Sequence, residues 1–362
     1  MSIVLSADAT LHPLVLPARA DAGDAGEFRE YADVRNRTMI ETTGRDDDGR
    51  TPGELLPMLR SDADAIRRQW SVRRAGETIG CVALNAPQDD GSRTVYWTIS
   101  LLREHWGQGI GQAIAVALEA ETRSLGRSAV QLWAEQPQAS GATLAAPNGF
   151  GSVPHDHIAR FLLAQGHRLE QVVRVSEFVF DDDALARIRA LRDQAQAHAR
   201  DYRVVRWMLP TPPDRVAGYA WMKSRMSTDI PSAGMEFAEE QWDADRVARH
   251  DDRYRQMGHA VQVTAAEHIG TGELCAFNEL AIGSEPTATT DQEDTLVLSD
   301  HRGHRLGMLV KTDALLSWHR RFPESRRVVT YNAEENRPML SINETIGFAP
   351  IAYEGAWKKV LT

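Results

Sequence analysis

Two cysteines, Cys81 and Cys275, are all that the 362 residues contain. That is too few for a disulfide framework, and both fall inside strand-like runs, where a thiol is ordinarily a core residue. A reducing, cytoplasmic setting is the expectation. Positive charge is also scarce: 41 Lys and Arg stand against 51 Asp and Glu, a formal charge of −10. Such a balance argues against nucleic acid as a general partner and suits a cationic or amine substrate, although a surplus of acids also serves plain solubility. No Lys or Arg precedes Arg19 and no long apolar run follows, so neither a secretory leader nor a membrane span is expected. What remains is a chain of ordinary globular composition, long enough for two domains with their own cores.

A seven-residue turn occurs twice. His105-Trp106-Gly107-Gln108-Gly109-Ile110-Gly111 follows the strand-like run Val95 to Leu102, and His301-Arg302-Gly303-His304-Arg305-Leu306-Gly307 follows Asp294 to Leu298. Each turn opens a stretch of helical periodicity: Ile110, Ile114 and Leu118 in one, Leu306, Leu309, Val310, Ala314 and Leu315 in the other. A strand, a small-residue turn and a helix start together gather unpaired backbone N–H groups at the positive end of a helix dipole. Such a corner suits an anion, and a pyrophosphate best. Gly111 and Gly307 lie 196 positions apart, as do the hairpin glycines Gly76 and Gly272, which indicates a duplicated domain. Gly166-His167 matches Gly347-Phe348 at a spacing of 181, so the first copy carries about 15 extra residues, placed between Gln136 and Pro154.

In chain order the pattern predicts a first strand over Leu14 to Ala18 and a helix over Glu27 to Met39. A solvated loop at Asp46 to Gly49, a short helix Glu54 to Leu59 and the hairpin Trp70 to Leu84 come next. After the first turn come its helix, a strand Ala129 to Trp133, a helix Ile158 to Ala164 and a strand Leu169 to Phe180. Asp181 to Asp183 caps an Ala/Arg-rich helix, Ala184 to Ala199, that reads as a connector. The second half repeats the order: strand Val204 to Trp207, helices near Asp214–Met226 and Ala238–Arg253, and hairpin Ala260–Ile282. Then follow the strand before the second turn, helix Leu306–His319, strand Arg327–Tyr331, helix Arg337–Thr345 and a final strand. This alternation implies an α/β fold with a mixed sheet covered by helices on both faces. The domains expected are 1–180 and 201–362, joined by a helical connector at 181–200.

Strand, a turn with a basic or Gln residue three positions before a Gly and five before another small residue, helix, strand, Asn-containing helix start and terminal Gly-Phe: this order resembles the GCN5-related N-acetyltransferases (GNAT family). The resemblance covers both halves, as two tandem acyl-CoA N-acyltransferase domains similar in layout to mycothiol synthase. It implies acetyl-CoA as cofactor, a small-molecule amine as partner, and a monomer or homodimer.

The resemblance carries over residue by residue. In the second copy Arg302 holds the first motif position and Gly307 the last, but Arg305 stands where the family usually has Gly. Gly303, His304, Leu306 and Met308 complete that turn. The first copy has Trp106 at the first position and keeps Gly109 and Gly111, with Gly107, Gln108 and Ile110 between and around them. The family implies that the strand before the turn, Leu296-Val297-Leu298 or Ser100-Leu101-Leu102, pairs with the pantetheine arm, and that a backbone N–H there polarises the thioester carbonyl. Asn336 falls at the family's cofactor-contacting Asn. Asn343 replaces the Tyr that commonly protonates the departing thiolate, and it has no proton to give. The first copy has His155 and Leu162 at these two positions. Chemistry is therefore expected in the second domain, with the first structural or regulatory.

Direct transfer needs an uncharged amine, and with an ammonium pKa near 10 only about one molecule in a thousand is ready at neutral pH. A carboxylate beside the acceptor would help. Glu279, in the run Cys275 to Ile282, is the expected general base, with Glu335 and Asp229 behind it. A strand Glu is more often simply exposed, and Asp229 before Pro231 more often a helix cap or turn. Met226 to Pro231 is either an ordinary connection or the roof of the acceptor site. His155-Asp156-His157 lacks a third ligand of motif-like spacing, so no metal is expected. Gly107, Gly109 and Gly111 lack the third glycine of a dinucleotide fingerprint. Trp70, Trp97, Trp133, Trp207 and Trp318 read as core. The alternative to an enzyme is a pair of degenerate copies that bind an acyl-CoA or metabolite without turnover.

Overall fold

A computed structural model describes residues 2–6, 8–136 and 141–361. The chain falls into two compact units: residues 1–173 with 232–238 and 352–362, and residues 174–231 with 239–351.

The first unit begins with β1 (Ile3–Val4) and β2 (Ala9–Pro13), followed by α1 (Gly26–Thr43) and α2 (Pro52–Leu59). β3 (Ala65–Arg74), β4 (Glu77–Pro87) and β5 (Thr94–Leu101) form an antiparallel meander, and α3 (Ile110–Ser124) leads to β6 (Ala129–Gln136). The inserted stretch contains the two-stranded β7 (Thr143–Ala145) and β8 (Ser152–Pro154), while its residues 137–140 lie outside the described ones. α4 (His157–Ala164) and β9 (Arg168–Val179) follow. Successive strand residues face opposite sides of the sheet, so Cys81 joins Phe28, Tyr31 and Leu55 of α1 and α2, while Val82 and Leu84 meet Ile114 and Leu118 of α3. The expected first strand at Leu14 to Ala18 is displaced. The ladder runs over β2 instead, where Pro13 faces Trp70, and its last bond is from the Leu14 N–H to the Gln69 carbonyl at 2.9 Å.

The second unit repeats the plan. α5 (Asp182–His198), β10 (Tyr202–Met208), α6 (Val216–Asp229) and α7 (Ala244–Met257) precede the meander β11 (Ala260–His268), β12 (Leu274–Ile282) and β13 (Thr290–Val297). α8 (Leu306–Arg321), β14 (Arg327–Ala333), α9 (Arg337–Ile346) and β15 (Ala349–Val360) complete the chain. The stretch expected to be a free connector is α5, capped by the Asp181 carboxylate on the Ala184 N–H. Its Ala184 and Ile188 are buried with Ala314, Leu315 and Trp318 of α8, so it belongs to the second core. The domain limits at 180 and 201 therefore give way to a boundary at 173/174, because residues on the far side of each limit bury themselves in the other core. The last strand is shared in the same way: Tyr353 to Val360 pair antiparallel with β6 inside the first unit. Within that unit, residues 232–238 are tied to the sheet by a Gln131 side chain bonded to the Glu236 backbone and by an Arg93–Glu236 ion pair at 2.7 Å. Among the described residues no helix is long and apolar enough to cross a membrane.

Candidate active site

Both motif turns have one backbone shape. Gly107 and Gly109 have φ of +72° and +81°, and Gly303 and Arg305 have +89° and +58°. The left-handed residue is in each case the N-cap of the following helix, and neither α3 nor α8 receives a side-chain cap, in contrast to the Thr51, Asp156, Asp181, Asp243 and Asn336 caps elsewhere. Among the described residues no acceptor engages the backbone N–H groups of Gly303, His304, Arg305, Leu306, Gly307 and Met308, nor those of Gly107 through Gln112. The first helical bonds come only at Leu309 and Ala113. Unpaired N–H groups at a helix start of this kind are what an anion site requires. The last glycine has a different reason: a Cβ on Gly307 would stand 3.0 Å from Ile342 Cδ1, and one on Gly111 3.2 Å from the Phe161 ring.

The strand leading into each turn has an open edge. β13 pairs in parallel with β14 only over Thr290–Gln292, and β5 with β6 only over Thr94–Tyr96, so the remainder of each leading strand has no ladder on that side. The Leu298 N–H bonds to the Cys275 carbonyl at 2.9 Å, as Leu102 does to Ile79 at 3.0 Å. Alternation along the ladder then turns the N–H and C=O of Val297, and of Leu101, to the open edge. Of the three strand residues expected to pair with pantetheine, Leu298 is therefore withdrawn by its bond to β12, and Leu296 is buried. Arg302 Nε donates to the Val297 carbonyl at 3.3 Å, and Trp106 Nε1 takes the same place on Leu101 at 2.8 Å. Trp106 also stacks on His157 at 4.8 Å, which accounts for the aromatic residue at a position expected to be basic.

One feature of the strand separates the copies. In the second, Asn278 faces Thr295 but Leu280 faces Gln292, so Glu293 and Asp294 together oppose Glu279 in a β-bulge. In the first, Gly80 to Asn85 pair with Leu101 to Tyr96 without a shift.

Glu279 lies behind that bulge and is only 1% exposed. It accepts from the Tyr219 hydroxyl and, at 3.4 Å, from Lys223 Nζ, which also pairs with Asp294. Burial opposes the Lys223 charge, but Asp294 and Glu279 more than offset it and hold its pKa above the usual value. Burial, with Glu279 beside it, holds the Tyr219 hydroxyl well above its ordinary value. With each oxygen accepting one of these bonds, Glu279 orients Lys223 and Tyr219. Asp294, with its side chain 34% exposed, is the member of this cluster that reaches solvent. Neither Lys223 nor the bulge was anticipated from sequence. A lysine on an amphipathic helix carries no signal of burial, and a bulge exists only in the pairing.

The other expected catalytic residues are dispersed. Asp229 ends α6, pairs with Arg225, and comes within 4.0 Å of Arg302 beside the turn, so it is bound to cations there. Asn343 is buried, its amide donating to Asn332 on β14 at 2.6 Å. The Asn336 carbonyl oxygen caps α9 at Met339, and half-buried Glu335 precedes it. Met226 to Asp229 form the last turn of α6. In the first copy Asp156, one residue past the expected position, is the cap, and Leu162 is buried at the place of Asn343.

Residues 35–150 match the model of the acetyltransferase (GNAT) family. Among curated proteins none matches the sequence. Among solved structures the chain is similar to a tandem GNAT protein from the clavulanic acid biosynthesis pathway, with a TM-score of 0.74 and 21% identity over 98% of both chains. A GCN5-related N-acetyltransferase from Sphaerobacter thermophilus follows, with a TM-score of 0.64 and 11% identity over 99% of this chain and 97% of that one. The Saccharomyces cerevisiae N-myristoyltransferase is similar at a TM-score of 0.57 and 8% identity, over 99% and 82%.

Proposed function

We propose that this chain, which carries the GNAT fold in tandem, transfers an acetyl group from acetyl-CoA to the primary amine of a small molecule by direct attack, and that the second unit performs the chemistry. The bulge of β13 opposite Glu279 carries the assignment to the second unit. It breaks the ladder beside the open edge and places Asp294 at the mouth of a buried acidic cluster.

The residues present fit the cofactor. The uncapped turn from Gly303 to Met308 would hold the diphosphate, and the Val297 edge would hold the amides of the pantetheine arm. When bound, acetyl-CoA supplies the activated acetyl thioester. Asp294 attracts the ammonium form of the acceptor and receives its proton, while Lys223 and, through it, Glu279 fix the carboxylate. The backbone N–H at Val297, on the open edge of β13, would be the donor for a carbonyl oxygen on which negative charge grows. Asn343, whose amide donates to Asn332, would supply no proton to a leaving thiolate.

One observation favours the binding-only reading: the Asn343 amide is turned to Asn332 and is not a proton source. Release of free coenzyme A in the presence of a panel of small amines decides between the readings. Release with any amine supports transfer. Heat stabilisation by acetyl-CoA without release from any amine supports binding alone.

A further inference from the structure

Three donors of different chemistry converge where the β11–β12 hairpin meets the second motif turn. The Glu273 carboxylate, the Cys275 thiol and the His301 imidazole each bring one ligand atom within 4.8 Å of the other two. Glu273 Oε2 stands 3.7 Å from His301 Nε2. The geometry points to a binding site for a divalent transition metal of the zinc class, held by Glu273, Cys275 and His301 with a fourth position open to water.

Bond lengths of about 2.0–2.3 Å to oxygen, nitrogen and sulfur put tetrahedral ligand atoms roughly 3.3–3.8 Å apart. The carboxylate–imidazole separation already lies in that range. The Glu273 side chain is 47% exposed and gives the ion its way in. Cys275 sits on β12, its carbonyl bonded to the Leu298 N–H, and the His301 N–H bonds to the Leu298 carbonyl at 3.0 Å. The backbone therefore fixes two of the three ligands beforehand.

The outer shell also suits a ligand histidine. His301 Nδ1 is 2.9 Å from the Tyr202 hydroxyl, which settles the ring and leaves Nε2 for the ion. His301 Nε2 and the Glu273 carboxylate face each other at 3.7 Å, a separation that a cation between them would bridge. A mixed nitrogen, oxygen and sulfur donor set favours zinc over calcium or magnesium, and binding displaces the thiol proton.

The first unit serves as an internal control. The pairings of its strands put Ile79 at the place of Cys275, Ala9 at that of Tyr202 and Arg74 at that of His268, while Glu77 and His105 match Glu273 and His301. The thiol and the phenol thus belong to the second copy alone. The ion would brace the residue that directly precedes the anion-binding turn, and the inference does not depend on the acyl-transfer reading.

The full-length protein, freed of any histidine tag and of metal by chelation, is titrated with Co²⁺ and with Zn²⁺. One equivalent of Co²⁺ is expected to bring up the thiolate-to-cobalt charge-transfer band, and Zn²⁺ to displace it. Cys275→Ser should abolish the band, and His301→Gln, Glu273→Gln and Tyr202→Phe should each weaken binding about tenfold or more. Cys81→Ser should leave it unchanged. Circular dichroism confirms that each variant is folded, and exposed Glu273 provides a variant with little structural cost. Absence of the band in the wild type, or equal affinity in the wild type, Glu273→Gln and His301→Gln, would overturn the site.

Discussion

Arg305 holds the backbone conformation of Gly109, with φ of +58° against +81°, although only the glycine lacks a Cβ. A left-handed L-residue costs about 1–2 kcal/mol, part of which glycine returns as chain entropy in the unfolded state. Arg305→Gly is therefore expected to raise stability by about 1 kcal/mol in denaturant unfolding. A destabilised variant would mean that the guanidinium makes up the strain within the fold.

Lys223 joins two carboxylates that have no other cation of comparable proximity among the described contacts. Lys223→Met leaves buried Glu279 without its cation and Asp294 unpaired beside it, and should cost about 3 kcal/mol. Asp294→Asn is milder for the fold but removes the proton acceptor, so kcat/KM for an amine should fall by about a hundredfold. Unchanged turnover in Asp294→Asn would remove that residue from the reaction.

Lys311 is fully buried in α8 with no hydrogen-bond partner for Nζ, and burial lowers its pKa to about 7. Above that value the native state holds a neutral amine while the unfolded chain still binds the proton, so this residue makes stability rise from about pH 7 toward pH 10. Lys311→Met should stabilise the protein by about 1–4 kcal/mol at neutral pH and flatten that rise. Thermal unfolding across the interval reads both effects.

In the first unit Glu354 and Glu135 face each other across β15 and β6. Burial pushes Glu354 up to about 8, reinforced by Glu135, and burial pushes Glu135 to about 7 against the pull of Arg45. The native state keeps protons that the unfolded chain has released, so their contribution to stability is full below about pH 4.5 and is lost as pH rises to 8. Glu354→Gln should reduce the fall in melting temperature between pH 5 and pH 8. A fall of the same size would show that the pair ionises freely.

The duplicated plan was legible because both copies keep glycine at two places: Gly107 and Gly303 where the backbone turns left-handed, and Gly111 and Gly307 where a Cβ would meet Phe161 or Ile342. The order of helices and strands followed from periodicity. What failed did so for local reasons. The apolar run at Leu14 looked like a strand, but the pairing lies over Ala9 to Pro13 and its last bond is made by the Leu14 N–H. The 181–200 helix looked like a linker because its sequence is Ala- and Arg-rich, yet Ala184 and Ile188 are enough to bury one face. Glu279 stood out as an acid in an apolar strand, while its bonds to Tyr219 and Lys223 exist only in the folded packing. Asp294 emerged from the bulge, which no residue pattern encodes.

The central claim is that the second unit's turn holds the acyl donor for chemistry. It is tested most directly by measuring acetyl-CoA-dependent release of free coenzyme A, with calorimetric binding in parallel, in the wild type, Gly307→Asp and Gly109→Asp. Gly307→Asp is expected to abolish release while Gly109→Asp retains it. Loss of release in Gly109→Asp with retention in Gly307→Asp would contradict it.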